Sequence, residues 1–183
     1  MAETSGADGG TGGLAALLDP SAIRIGVTAR DWREAVRASG DALVASGATD
    51  DAYTDAMIAT VEQLGPYIVI APGIALAHAR PSPAVHRPAI SLVTLRDPVA
   101  FGHRTNDPVE LVVGLAAPDD AGHVTALATL AEFLADEARR SALLRASDPG
   151  AIRSLIEEYE AALVGAAGAT GRQHGGGAGA PGR

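Results

Sequence analysis

Residues 65–81 read Gly-Pro-Tyr-Ile-Val-Ile-Ala-Pro-Gly-Ile-Ala-Leu-Ala-His-Ala-Arg-Pro, and this stretch decides how the chain is interpreted. An apolar run broken only by Pro72-Gly73 predicts two short strands joined by a turn. The second strand ends at His78, two residues before Arg80. Because strand ends that open into loops are where a rigid scaffold presents reactive groups, His78 is the first candidate for chemistry. A neutral imidazole there can act as a nucleophile, a base or a ligand.

Helix and strand patterns alternate on both sides of this stretch. Upstream we predict a short helix over 14–18, a short strand over 23–27, and two capped helices that end near residues 46 and 64. Downstream we predict near-continuous apolar strands over 89–95 and 110–117, followed by helices over 120–134, 137–144 and from 149 onwards. Continuous apolar strands are typical of a sheet that is covered on both faces. The pattern therefore predicts an α/β fold, a three-layer α/β/α sandwich with a central mixed β-sheet flanked by helices.

Glycine-rich segments without periodicity bound this pattern at both ends. We predict one domain over residues 13–162, a disordered N-terminal segment over 1–12 and a disordered Gly/Ala-rich tail over 163–183. His174 lies in that tail, and we expect it to be unstructured.

The composition excludes several classes of function. The chain has no cysteine, which rules out thiol catalysis, disulfides and cysteine-ligated metals. All 14 basic residues are arginine, which rules out Schiff-base chemistry and a P-loop. With a net charge of −8 and no basic cluster, we expect no nucleic-acid binding. Because we find neither a secretory signal nor an apolar run of the ~20 residues that span a bilayer, we expect a cytoplasmic protein with no direct membrane insertion.

His78 and Arg80 are two residues apart, so both side chains point to the same side if the chain stays extended. Pro81 favours that geometry, because a proline biases the preceding residue towards extended backbone. A guanidinium beside an imidazole opposes a metal cation but suits an anion. Alone, a histidine at a strand end is as often a structural residue as a functional one.

His123 lies near the third position of a helix that begins at Asp119 or Asp120. The first turn of a helix favours anions and lowers the pKa of an imidazole, so His123 can stay neutral and still donate a hydrogen bond. Alone, it is more often structural. His86 is predicted to be a solvated loop residue, and His103 a loop residue that can approach the site.

In combination these motifs resemble a known family. Residues 65–81 are similar to the phosphorylation-site segment of the type-2 enzyme IIA domains, the mannitol/fructose group, of the bacterial phosphoenolpyruvate–sugar phosphotransferase system. The Gly-Pro-Tyr start and the His-Ala-Arg-Pro end are most similar to its ascorbate-type branch. The resemblance covers roughly residues 14–159 and continues through these segments: Val99-Ala100-Phe101-Gly102, Asn106-Asp107-Pro108-Val109, Leu111 to Ala117, and His123-Val124-Thr125-Ala126-Leu127 to Leu134.

The resemblance implies a phosphoryl carrier. His78 would take a phosphoryl group from the phosphocarrier protein HPr and pass it to an enzyme IIB, and the membrane-embedded enzyme IIC would move the sugar, such as ascorbate or a related sugar acid or pentitol. His123 would hydrogen-bond the phosphoryl oxygens. The implied chemistry needs no metal and no organic cofactor. The small neighbours Ala77 and Ala79 would leave room for a partner protein.

The chain departs from the family in two places. Ala77 stands where the family often has proline. Many members also carry an Arg-Glu pair in the helix before the strand, where the arginine faces the phosphoryl site, whereas this chain has Thr60-Val61-Glu62. We expect Arg80 to bind the phosphoryl group in that arginine's place.

Two other functions stay open at this point. One is a regulatory phosphohistidine domain that controls a transporter or a transcription factor without feeding a permease. The other is a metal-dependent hydrolase that uses His78, His86, His103 and His123. The chain has no His-Glu-x-x-His spacing, and Arg80 opposes a cation in such a site.

Overall fold

The computed structural model describes residues 13–170, with side chains to residue 166. The predicted segment 1–12, residues 171–183 of the predicted tail and His174 lie outside the described residues. In chain order the described residues form α1 (Leu14–Leu17), β1 (Leu18–Val27), α2 (Trp32–Ala45), α3 (Asp51–Leu64), β2 (Val69–Ala71), β3 (Ile74–His78), β4 (Ala89–Val99), β5 (Val109–Ala116), α4 (Asp120–Ala135), α5 (Glu137–Arg145) and α6 (Pro149–Thr170).

The strands form one mixed sheet in the order β1-β4-β5-β3-β2. β1 is parallel to β4, and β3 is parallel to β5, whereas β4 pairs antiparallel with β5 and β2 pairs antiparallel with β3. Helices cover both faces, because the buried apolar residues fall into two clusters. One cluster lies between the sheet and helices α2 and α3, and the other lies between the sheet and helices α1, α4, α5 and α6. The predicted three-layer α/β/α sandwich is confirmed.

A short polar residue precedes each of the helices α2, α3 and α4. The carboxylates of Asp31, Asp50 and Asp119 accept hydrogen bonds from backbone N–H groups in the first turns of α2, α3 and α4, respectively. These bonds satisfy donors that have no partner within the helix. At its other end, α3 stops at Gly65, whose φ of 79° is a conformation that glycine adopts without strain. The chain then turns back into β2.

Three elements are longer than the sequence pattern predicts. β1 begins at Leu18, because Leu18 pairs with Ile90 of β4, although Asp19-Pro20-Ser21 is typical of a turn. β4 continues to Val99, which pairs with Val109 beyond an irregularity in the ladder. α6 continues to Thr170, eight residues into the segment that we predicted to be a disordered tail beginning at residue 163. This extension contains three alanines, which favour a helix, and two glycines, which oppose it, and its Leu163 and Val164 are exposed.

In the described part of the chain, every helix is either too short or too polar to span a lipid bilayer.

Candidate functional site

The sheet brings His78 and the start of α4 to the same edge. β3 and β5 are parallel, and the last residue pair of their ladder joins His78 to Leu115. β5 ends one residue later, and after a short connection α4 begins at Asp120. Because parallel strands place their carboxyl ends at one edge, this edge is where an α/β sheet commonly binds ligands. The first turn of α4 therefore lies beside the end of β3.

The alternation of side chains along β3 turns His78 towards α4. Ile74 and Leu76 belong to the buried cluster on the α4 side of the sheet, whereas Ala75 and Ala77 belong to the cluster on the α3 side. His78 continues the even-numbered series and faces α4, since side chains alternate along a strand. Its ring centroid lies 5.3 Å from that of His123, with an angle of 51° between the ring planes. The structure thus brings together the two predicted histidines.

Both rings line an open notch of about 210 Å³. Its walls come from the end of α3, the start of β2, the segment after β3 and the first turn of α4. Arg80, the third predicted site residue, lines the same notch. The lining residues are Thr60, Leu64, Tyr67, His78, Ala79, Arg80, Pro81, Asp120 and His123.

A hydrogen bond determines which nitrogen of His78 carries the proton. Nδ1 lies 2.9 Å from the backbone oxygen of Leu76. Because a carbonyl oxygen can only accept, Nδ1 donates, and in the neutral ring Nε2 keeps a free lone pair. The hydroxyl of Tyr67 lies 3.5 Å from Nε2, and the two rings meet edge to face at 5.6 Å. Burial raises the pKa of Tyr67, so its phenol is neutral and can donate a hydrogen bond.

His123 sits in the first turn of α4, where its backbone N–H donates to the oxygen of Asp119. Burial, and secondarily the nearby His78, lower the pKa of His123, while the carboxylate of Asp120 opposes this shift. The lowered pKa favours the neutral ring at pH 7, and its main cause is burial rather than the position in the helix from which we expected it. Its Nδ1 is buried and has no hydrogen-bond partner among residues 13–170. No hydrogen bond of Nδ1 to these residues therefore fixes the tautomer of the ring.

Arg80 and Thr60 differ in how their polar groups are used. The guanidinium of Arg80 is exposed and has neither an ion pair nor a hydrogen bond within the described chain, so it is available to an anion. The hydroxyl of Thr60 donates to the oxygen of Ala56 in its own helix. Glu62 pairs with Arg33 at 2.9 Å and does not line the notch. Position 60 thus faces the notch, but Arg80 alone supplies a cation there among the lining residues.

The side chains of Ala77 and Ala79 pack in the core, and Ala79 also borders the notch. We expected these small residues to leave room for a partner protein beside His78. Both are buried, and both pack in the cluster on the α3 side of the sheet. Large apolar side chains are exposed at the notch. Leu64 and Tyr67 line it, and Val124 follows His123. Such a rim is typical of a surface that contacts another protein.

The other two histidines of the described chain lie outside the notch. His86 is exposed, and its Nε2 lies 3.8 Å from a carboxylate oxygen of Asp50. Nδ1 of His103 accepts hydrogen bonds from the backbone N–H groups of Thr105 and Asn106, so this ring holds its own loop together. Among residues 13–170, no group of three or more histidine, aspartate or glutamate side chains has the arrangement that a metal ion needs.

The segment 101–108 holds the hairpin formed by β2 and β3 in place. The carboxylate of Asp107 accepts the backbone N–H groups of Phe101, Gly102 and His103. The backbone oxygen of Asn106 in turn accepts the N–H of Gly73, which sits at the turn between β2 and β3 with a φ of 75°. These residues therefore fix the hairpin that ends at His78.

Tyr67 and Asp120 line the notch, although no sequence motif predicts a role for them there. The signal for Tyr67 is the register of the hairpin. The backbone N–H of Leu76 donates to the oxygen of Ile68, so the residue before Ile68 lies beside the end of β3. Asp120 was identified only as the start of α4, and its place beside the notch depends on the parallel pairing of β3 and β5.

Comparisons with known proteins identify the family of this chain. A family profile described as phosphoenolpyruvate-dependent sugar phosphotransferase system, EIIA 2, matches residues 16–159. The ascorbate-specific PTS system EIIA component of Salmonella typhimurium is 37% identical over 147 residues, which cover 80% of this chain and 96% of that protein. The solution structure of the mannitol-specific cryptic phosphotransferase enzyme IIA CmtB from Escherichia coli has a TM-score of 0.71 at 31% identity, covering 79% of this chain and 98% of that chain.

A third similar structure is a complex of enzyme IIAMTL and phosphorylated enzyme IIBMTL from Escherichia coli. Its TM-score is 0.68 at 24% identity, covering 78% of this chain and 99% of that chain. At this identity the likeness concerns the fold alone.

Proposed function

Because the chain belongs to the EIIA 2 family of the phosphoenolpyruvate-dependent sugar phosphotransferase system, we propose that it carries a phosphoryl group on Nε2 of His78. The family that the sequence resembles is thereby confirmed. The observation that supports the proposed acceptor atom is the bond from Nδ1 to the oxygen of Leu76, which leaves the lone pair on Nε2. We propose that the predicted domain, residues 13–162, carries this function and that the protein works in the cytoplasm.

The transfer that we propose moves one phosphoryl group and no proton. The lone pair of Nε2 forms a bond to phosphorus while the bond from phosphorus to the donor nitrogen of phosphorylated HPr breaks, and that nitrogen keeps the electron pair. Nδ1 retains its proton and its bond to Leu76 throughout. In the second transfer a nucleophile of enzyme IIB attacks the same phosphorus, and Nε2 leaves with its lone pair. Because imidazole is a nucleophile without deprotonation, the transfer to His78 needs no general base, and any proton on the nucleophile of enzyme IIB is lost within enzyme IIB.

The notch supplies positive potential for the transferred group. Catalysis of phosphoryl transfer consists mainly of holding the partners in line and stabilising charge on the three equatorial oxygens. We propose that His123 donates one hydrogen bond and that the free guanidinium of Arg80 pairs with another oxygen. The amino end of α4 adds partial positive charge. The carboxylate of Asp120 opposes these groups, which limits how tightly the phosphoryl group is held.

The exposed apolar side chains at the notch support protein partners. We propose that HPr and enzyme IIB dock in turn on the rim formed by Leu64, Tyr67 and Val124, each bringing its reactive side chain over His78. The similar fold of the Escherichia coli protein in complex with phosphorylated enzyme IIBMTL is compatible with such docking. The link to the membrane enzyme IIC is then indirect, through enzyme IIB.

The names of several similar proteins support ascorbate as the transported compound. Several of them are described as ascorbate-specific EIIA components. We propose that this chain serves the uptake of ascorbate or of a related sugar acid or pentitol. An EIIA carrier need not touch the sugar, so this assignment depends on the enzyme IIB and IIC that the chain works with.

The function is tested by reconstituting the transfer. The chain is incubated with labelled phosphoenolpyruvate, enzyme I and HPr, and enzyme IIB is then added. We expect one acid-labile phosphate on the wild-type chain, which leaves when enzyme IIB is added. The absence of label on this chain while HPr is labelled would contradict the proposal. Label that is accepted but never passed to enzyme IIB would favour the regulatory role instead.

A further inference from the structure

We propose that Tyr53 is a positioning residue for His78, because its hydroxyl holds the backbone that leaves β3 directly after the reactive histidine. This inference rests on the proposed phosphoryl carrier function and adds a residue outside the notch to it.

Tyr53 lies on α3, on the opposite face of the sheet from the notch, and is fully buried. Its hydroxyl oxygen is 2.6 Å from the backbone oxygen of Leu115, 3.1 Å from the backbone nitrogen of Ala79 and 3.2 Å from the oxygen of Ala79. The hydroxyl has one proton, and the shortest of these contacts is to Leu115. It therefore donates to Leu115 and accepts the N–H of Ala79.

These two hydrogen bonds of Tyr53 connect β3 and β5 just beyond the last residue pair of their ladder. The ladder between β3 and β5 stops at the pair His78 and Leu115. Beyond it, the N–H of Ala79 would have no strand partner. The tyrosine hydroxyl bridges that N–H to the oxygen of Leu115, so it extends the connection between the two strands by one residue. A buried N–H requires such a partner, since an unpaired one destabilises the fold.

The consequence for the site follows from the alternation along the strand. Ala79 is held on the α3 side, and its two neighbours, His78 and Arg80, lie on the notch. Fixing the peptide groups around Ala79 therefore fixes the direction of both neighbours. The same hydroxyl binds the end of β5, which leads to α4 and His123. One buried group thus sets the relative position of the end of β3, which carries His78, and the end of β5, which leads to His123.

The hydroxyl keeps this pattern over the whole pH range in which proteins work. Burial raises the pKa of Tyr53 to about 12, so the proton that it donates to Leu115 stays in place. Tyr159 provides a contrast, because its buried hydroxyl has no hydrogen-bond partner in the described part of the chain. It belongs to the buried cluster on the α4 side and does not line the notch. The same substitution at Tyr159 is therefore a matched control.

The test compares Tyr53→Phe with Tyr159→Phe. Both variants are measured at one temperature, well below the melting temperature of the less stable variant. We measure the rate of phosphate transfer from phosphorylated HPr and the ¹⁵N chemical shifts of the His78 ring without phosphate. We expect Tyr53→Phe to slow transfer about 10- to 100-fold, the scale that follows from slight misplacement of a reacting group. Its His78 ring should also lose the single tautomer protonated at Nδ1. Tyr159→Phe should match the wild type in both.

The inference is overturned if Tyr53→Phe transfers phosphate at the wild-type rate, or if its rate falls while the His78 ring signals stay unchanged. A wild-type chain that accepts no phosphate would instead overturn the proposed function, and the ring signals would still test the positioning. If Tyr53→Phe does not fold, amide hydrogen exchange in the wild type decides. The N–H of Ala79 should be protected like those inside the sheet, and rapid exchange there overturns the inference.

Discussion

Ala77 and Ala79 pack into the core on one face of the end of β3, although Ala79 also borders the notch, whereas His78 and Arg80 on the other face open into it. The two faces belong to consecutive residues at the end of β3 and directly after it, yet their surroundings differ. The sealed face, which carries Ala77 and Ala79, contacts apolar side chains and one tyrosine hydroxyl. The open face presents an imidazole and a guanidinium to solvent.

The two faces therefore have different tasks. One face fixes the position of the backbone, and the other carries the reactive side chains. A side chain in a packed core has few alternative positions, so the sealed face determines where the backbone lies. The open face can then carry reactive groups that need access for a partner protein. Because a strand alternates its side chains, the two tasks meet at adjacent residues, and substitutions can address them one at a time.

Replacing His78 with glutamine should have the largest effect on transfer. The amide keeps a hydrogen-bond donor near Leu76 but is not a nucleophile, so we expect phosphate transfer to fall by more than about 10³-fold. The melting temperature should change little, because the sealed face of the strand is untouched. Transfer assays and thermal unfolding measure the two quantities. Residual transfer near the wild-type rate would mean that the open face is not the reactive one.

His123→Ala should slow transfer by about 10²-fold, the loss that is typical when one donor to a developing negative charge is removed. The helix cap of α4 depends on Asp119, so the fold should persist. His86→Ala is the matched control, since His86 lies outside the notch, and it should leave the rate unchanged. Equal rates for the two variants would remove His123 from the site.

Arg80→Ala should slow transfer about tenfold, because an exposed cation is screened by solvent. Stability should be almost unchanged, since Arg80 has no ion pair within residues 13–170. Arg96→Ala, an exposed arginine of β4, serves as the control. Adding Thr60→Arg to the Arg80 variant should restore part of the rate, because position 60 also faces the notch. No loss in the Arg80 variant would leave the notch without its proposed cation.

The smallest effect that we predict is on stability at mildly acidic pH. Burial lowers the pKa of His123 below the value of about 6.5 that an unfolded chain has. The unfolded state then binds more protons than the folded state, so the free energy of unfolding should fall as the pH drops through 6.5. His123→Ala should remove this component. Denaturant titrations at several pH values test it, and parallel curves for both proteins would contradict it.

Much of this fold can be predicted from the sequence, because its signals are local. Helix caps such as Asp119 and the apolar runs locate most elements to within a few residues. The period of two along β3 correctly places His78 and Arg80 on one side. The resemblance of the motifs to one family adds the pairing of His78 with His123, which the ring distance of 5.3 Å supports.

The features that the sequence does not predict depend on contacts between distant parts of the chain. Asp19-Pro20-Ser21 has the composition of a turn, and only pairing with β4 makes it part of a strand. Tyr53 is an ordinary apolar position of a helix in the sequence. Its role emerges only because the fold brings it to Leu115, 62 residues further along the chain. The exposed rim likewise requires the hairpin register, which no local pattern specifies.

The acceptor atom is tested most directly by a ¹⁵N–³¹P correlation spectrum of the phosphorylated chain. The proposed chemistry predicts one phosphorus coupled to Nε2 of His78, with Nδ1 of the same ring still bound to a proton. Phosphorus coupled to Nδ1, to His123 or to no ring nitrogen would contradict the claim that the open face of β3 carries the phosphoryl group.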